Sequence, residues 1–187
     1  MLEQVKKPTI RNGVNIDDLM TTIGAVQQDP SLAKFRFSAQ NQWLDCGHNR
    51  SAIKAFYGCG AMDTTRTVPF TLEADEPAVL LGTDKGANPV EYVLHALVSC
   101  MTTSMVYHAA ARGIEIESVS TSLEGDLDLQ GFLGLSDEVP KGYSTIRVNM
   151  DVASNGLEQD LRECISFSPV YEMISRSLPV ELKMHVH

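Results

Sequence analysis

The chain has 187 residues, with 24 acidic against 15 basic and a formal charge of −9 at pH 7. That balance and the lack of any basic run exclude nucleic acid and anionic membranes as expected partners. The length suits one domain with a real core, and residues 1–7 hold no apolar signal segment, so a cytoplasmic location is expected.

Residues 1–33 read as an N-terminal arm and an amphipathic helix, ahead of a change of period at Lys34. Residues 1–14 predict a loose arm ending in Asn12-Gly13. A short amphipathic helix follows, capped by Asn15 or Asp17, with Ile16, Leu19, Met20, Ile23 and Val26 at helical spacing. Asp29-Pro30 ends it. Its single apolar stripe should dock on the body of the protein or on a second subunit.

From Lys34 the period changes to two, with Phe35, Phe37, Ala39 and Trp43 on one strand face. Residues 46–50 read as a turn, and residues 53–57 as a returning strand closed by Gly58-Cys59-Gly60. Residues 67–74 predict a third strand, residues 77–81 a short fourth, and residues 82–87 a polar loop.

The stretch that follows organises the chain. Asn88 is an N-cap, Pro89 suits the first helical position, Arg112 places a cation in the last turn, and Gly113 suits the position just past the end. These signals bound a helix of about 24 residues, roughly 36 Å long. Its Ala, Leu, Val and Met predict burial on most sides. Ser, Thr and His interrupt it too often for a membrane span.

Beyond Gly113, residues 114–129 read as a long strand with a slip of phase near Ser118, and residues 130–143 as a loop. Ile146, Val148, Met150 and Val152 make a half-buried strand. Residues 156–167 predict a helix, Ser168-Pro169 starts another segment to about Ser177, and residues 179–186 form a last strand. The order implies an α+β fold with antiparallel sheets around a long buried helix.

The chemistry rests on thiols. Cys46, Cys59, Cys100 and Cys164 show no C-x-x-C spacing and are expected to be free, with Cys46 and Cys59 structural. A reactive Cys100 needs a cation, because a mid-helix position gains little from the dipole; Arg36, Arg50 and Arg66 are the candidates. Cys164 lies on the apolar face of the penultimate helix. His95 and His108 are about 20 Å apart along the helix, too far to act together. His185 and His187 share a strand face and read as a solvated terminus rather than a metal edge. No P-loop, G-x-G-x-x-G, H-E-x-x-H or G-x-S-x-G occurs, and neither a cofactor nor a metal is expected.

Asn88-Pro89, Cys100 twelve residues after that Asn, Gly113, the late Ser168-Pro169-Val170 and the closing Pro179-Val180-Glu181-Leu182 together resemble the OsmC/Ohr family of osmotically inducible and organic-hydroperoxide-resistance proteins. The resemblance spans residues 34–187. It implies an intertwined homodimer with paired central helices. Active members use a peroxidatic cysteine on the central helix, matched by Cys100, and an arginine from the first hairpin, matched by Arg50. They also use a glutamate after the Asn-Pro pair and a resolving cysteine before the later proline. Here those two positions are Val90 and Ser168, with Cys164 one helical turn earlier.

Two functions follow from the resemblance. One is oxidative-stress defence by one-cysteine reduction of a small organic hydroperoxide, with Cys164 or an external thiol reductant resolving Cys100. The alternative is a non-catalytic dimer that binds a small apolar ligand among Val90, Met101, Met105, Tyr107 and Phe167.

Overall fold

The computed structural model describes residues 7–187. It divides into two compact units, Asp18–Val93 and Leu94–His187, the second joined by the residues before Asp18. The expected loose arm lies partly in residues 1–6, outside the described residues. The rest of it is structured. Strands β1 (Ile10–Arg11) and β2 (Val14–Asn15) pair across Asn12 and Gly13. Both turn residues have positive φ, 49° and 77°, as a two-residue hairpin of this hand requires. The Asn12 side chain donates to Ile114 O at 3.0 Å and accepts from Ile116 N at 2.9 Å, which pins the hairpin down.

The unit Asp18–Val93 holds most of helix α1 (Ile16–Gln28), whose first turn is capped by Asn15 Oδ1 accepting from Asp17 N. No residue of α1 is buried. A 3₁₀ helix, Pro30–Ala33, follows Asp29. Strands β3 (Gln40–Asp45), β4 (His48–Ile53) and β7 (Phe70–Ala74) form an antiparallel sheet in the order β3-β4-β7, and β5 (Phe56–Gly58) pairs with β6 (Ala61–Asp63).

Several expectations are corrected here. The first strand starts at Gln40 rather than Lys34, because Phe35 stacks on Phe37 and Phe56, with Phe37 tilted against Phe56, while only Arg36 bridges to Tyr57. The turn is confined to Cys46-Gly47, with Cys46 at φ 46°, so Arg50 sits inside β4. The third strand begins at Phe70. The fourth piece is a 3₁₀ helix, Ala78–Leu80: Leu80 N and Leu81 N donate to Pro77 O and Ala78 O, which leaves no ladder to join.

The unit Leu94–His187 is built on helix α2 (Pro89–Arg112), whose bounds match the predicted ones. Gly113 at φ 85° ends it, and Arg11 Nη1 donates to Ala110 O at 3.0 Å among its last free carbonyls. Then come β8 (Ile116–Leu127), α3 (Leu129–Phe132), β9 (Tyr143–Ser154), α4 (Glu158–Ser166), α5 (Pro169–Ser175) and β10 (Val180–Val186). The phase slip near Ser118 is a register shift between Ile116 and Ser118. Helix α3 occupies the start of the expected loop.

The sheet order is β10-β9-β8. β8 and β9 are antiparallel, but β9 and β10 are parallel, which corrects the expectation of antiparallel sheets throughout. The helical crossover α4–α5 carries the chain back to the start of β9, and a connection of that kind is what parallel pairing needs.

The core of this unit comes from matched periods. Leu97, Met101, Met105 and Ala109 recur every four residues on α2, and Ile146, Val148, Met150 and Val152 every two on β9. Leu161, Cys164 and Ile165 of α4 complete the cluster. α2 is therefore buried along one stripe in a single chain, not on most sides, and Tyr107 is 49% exposed. No helix among the described residues is long and apolar enough to cross a membrane.

Candidate functional site

Cys100 precedes buried Met101 by one residue, which turns it about 100° away from the buried stripe of α2. It is half-buried, and its neighbours on that side, Ala96, Thr103 and Tyr107, are exposed. Cys164 has the opposite setting. It is fully buried in the core cluster, and burial pushes its thiol pKa up, with the nearby Arg112 guanidinium opposing only in part. A thiol held protonated is a poor nucleophile. All four cysteines are free. Cys46 donates from Sγ to Leu81 O at 3.3 Å, and both Cys46 and Cys59 are exposed at positive φ.

Around Cys164 the end of α2 is tied to α4. Arg112 Nη2 donates to Glu163 Oε1 at 2.8 Å and its guanidinium lies 5.7 Å from the Phe167 ring centre. His108 stacks on the same ring at 4.2 Å. Burial, with the neighbouring Arg112 charge, lowers the His108 pKa.

Ser168 is fully buried and acts as the N-cap of α5, its Oγ accepting from Tyr171 N at 3.2 Å. The hydroxyl at this position therefore has a backbone partner, and Pro169 fits the first helical position after it.

In the other unit, Arg50 of β4 lies opposite Glu73 of β7, with Nε to Oε1 at 2.5 Å. Glu73 also meets His48 Nε2 at 2.9 Å. The hydrogen bond from Arg50 is the main reason the Glu73 carboxyl titrates below its ordinary range. Sequence reasoning missed Glu73, because the only signal for it is strand register. Glu91, beside the family's glutamate position, is engaged elsewhere. Its carboxylate accepts from Asn88 N at 2.8 Å while Asn88 Oδ1 accepts from Val90 N at 2.9 Å, a reciprocal capping box. The other candidate arginines sit on aromatic faces, Arg36 over Tyr57 and Arg66 over Phe56 and Phe70.

Asp75, also missed, is the anchor of the loop that leads into α2. It is buried, which by itself would raise its pKa. Thr83 Oγ1, Glu76 N, Lys85 N and Thr83 N all donate to it and hold the carboxyl at about 2. The loop packs tightly: a Cβ on Gly82 would stand 1.7 Å from Glu76 O. Asn88 Nδ2 donates to Glu76, and Tyr92 OH donates to Glu73 O at 2.6 Å, so the first turn of α2 is fastened to β7.

The ligand pocket expected from Met101 and Met105 is corrected. Both side chains are fully buried core, filling the space between helix and sheet rather than lining a hollow. A hollow of about 360 Å³ lies instead in the unit Asp18–Val93, lined by residues including Gln40, Ala52, Lys54 and Met62.

A half-buried thiol on the open side of a long helix can act as a nucleophile, and a strand-borne arginine fixed by a carboxylate can stabilise an anion. The same architecture occurs in solved structures. The chain is similar to an OsmC-like protein from Mycoplasma pneumoniae at 15% identity and a TM-score of 0.61, covering 81% of this chain and 96% of that one. It is similar to the organic hydroperoxide resistance protein OsmC from Legionella pneumophila at 20% identity and a TM-score of 0.52, covering 81% and 97%. An OsmC-like protein from Vibrio cholerae gives 16% identity and a TM-score of 0.52, covering 81% and 99%. At these identities the likeness is one of fold. No curated protein sequence matches the chain. The family model described as OsmC-like protein matches residues 82–183, more than half of the chain and the whole of α2 with Cys100, and the chain therefore belongs to the OsmC family.

Proposed function

We propose that this protein reduces small organic hydroperoxides through Cys100 and is returned to the thiol by an external reductant. The observation that carries the reading is the contrast between thiols: Cys100 is half-buried on the open side of α2, whereas Cys164 is sealed in the core. The Cys100 thiolate attacks the distal peroxide oxygen. The O–O bond breaks, an alcohol leaves after taking up a proton, and sulfur is oxidised to sulfenic acid. One external thiol displaces water to form a mixed disulfide. A second attacks that disulfide, releasing an oxidised dithiol and regenerating Cys100.

Ser168 has no thiol to offer and Cys164 is held protonated, which is why the reductant is external in this reading. Arg50, fixed by Glu73 in place of the missing helix glutamate, is assigned to stabilise the thiolate and the developing alkoxide. The protein acts as a homodimer in this scheme, a reading supported by the exposed aromatic surface of Phe37, Trp43 and Phe70.

The test is intact-mass analysis after one equivalent of cumene hydroperoxide, with and without dimedone as a sulfenic-acid trap. Dimedone should add once, at Cys100, and the adduct should vanish in Cys100→Ser and slow strongly in Arg50→Met. Loss of two mass units would mean that a second cysteine of the chain resolves Cys100, and peptide mapping would tell Cys164 from the exposed Cys46 and Cys59. An unchanged mass would overturn the peroxidase reading.

A further inference from the structure

We propose that Asp151, His185 and His187 form a binding site for a divalent transition metal on the outward face of the β8–β9–β10 sheet, separate from the thiol chemistry. His185 is on β10 and His187 is the first residue past its end, two positions on, where hydrogen bonds to Val152 and Ser154 continue the pairing, so both leave the same face. The parallel register sets Asp151 of β9 directly beside His185. This carboxylate could not be paired with the histidines from sequence, where the two histidines alone read as a solvated terminus.

The donor atoms of the three side chains lie within 4.8 Å of one another. His187 Nδ1 is 3.7 Å from Asp151 Oδ1, and the two imidazole rings stack at 5.4 Å. A bound metal holds such ligands at about 2.0–2.2 Å, which brings donors to roughly 3–3.5 Å from each other. The remaining closure is small and the side chains are exposed, so they are free to turn. The backbone beneath them is fixed: His187 N donates to Val152 O at 3.1 Å and Ser154 N donates to His187 O at 3.0 Å. Lys183 is a cation on the same face of β10, and the Asp151 carboxylate opposes it.

Two imidazoles and one carboxylate suit Zn²⁺, Ni²⁺ or Cu²⁺ rather than Mg²⁺ or Ca²⁺, which prefer all-oxygen sets. Three protein ligands leave coordination positions open to water. Because the ligands come from two paired strands, occupancy would clamp β10 to β9 and raise the melting temperature.

Calorimetric titration of the full chain with Zn²⁺, after iodoacetamide has blocked the accessible thiols, tests this. One Zn²⁺ should bind per chain, and affinity should fall about tenfold or more in His185→Ala and in Asp151→Asn. Zn²⁺ should also raise the melting temperature of the parent but not of the double variant His185→Ala/His187→Ala. No saturable binding by the parent, or equal affinity in parent and variants, would overturn the site. Either result is independent of peroxidase activity.

Discussion

The two units bury different things. Among the described residues, every fully buried apolar side chain belongs to Leu94–His187, where α2, α4 and β9 interleave. In Asp18–Val93 the buried residues are Gly58 and the ionised Asp75, while Phe37, Trp43 and Phe70 are 68%, 69% and 60% exposed. The first unit is held by dispersion and the hydrophobic effect within one chain. The second is held by strand pairing and a hydrogen-bonded carboxylate, and its aromatic surface still lacks a cover. Large exposed apolar surfaces of this kind mark interfaces, in line with the proposed homodimer.

The largest expected effect comes from the self-contained core. Leu97→Ala removes a fully buried side chain at the centre of the α2 stripe and should cost about 2–5 kcal/mol, read as a lower urea midpoint. A loss well below that would mean the core can collapse around the gap, and the two units would differ less in how tightly they are packed.

Next is Asp75. Its folded pKa is depressed to about 2 from an ordinary value of 3.8, so its contribution is present above about pH 4 and is lost as pH falls towards 2. Trp43, the only tryptophan, lies in the same unit. Its fluorescence should show loosening of Asp18–Val93 across that window. Asp75→Asn should weaken the loop at neutral pH and remove this acid sensitivity. A Trp43 signal flat from pH 4 to 2 in the parent would show that the carboxylate does not hold the unit.

The smallest expected effect is at the exposed aromatics. Phe37→Ser should cost about 1 kcal/mol or less in dilute protein, from the lost ring stacking alone. The cost should grow with protein concentration if a second copy covers the patch. A cost independent of concentration, with a monomeric mass by light scattering, would remove the dimer as the explanation.

Local features of this protein were legible because their causes are local. Asn88, Pro89 and Gly113 bounded α2 to the residue, since a cap acts within one turn. The alternation of Ile146, Val148, Met150 and Val152 marked the central strand, and Ser168-Pro169 marked a helix start. The aromatic alternation over residues 35–39 misled, because ring stacking used it where a strand was expected. Tertiary structure alone decided which stripe of α2 is buried and that Cys164 is sealed while Cys100 is not. It also decided that β10 runs parallel to β9, that Glu73 holds Arg50 and that Asp151 meets the two histidines. Each of these depends on register or packing between segments far apart in the chain, and no short stretch of sequence carries the energy that fixes them.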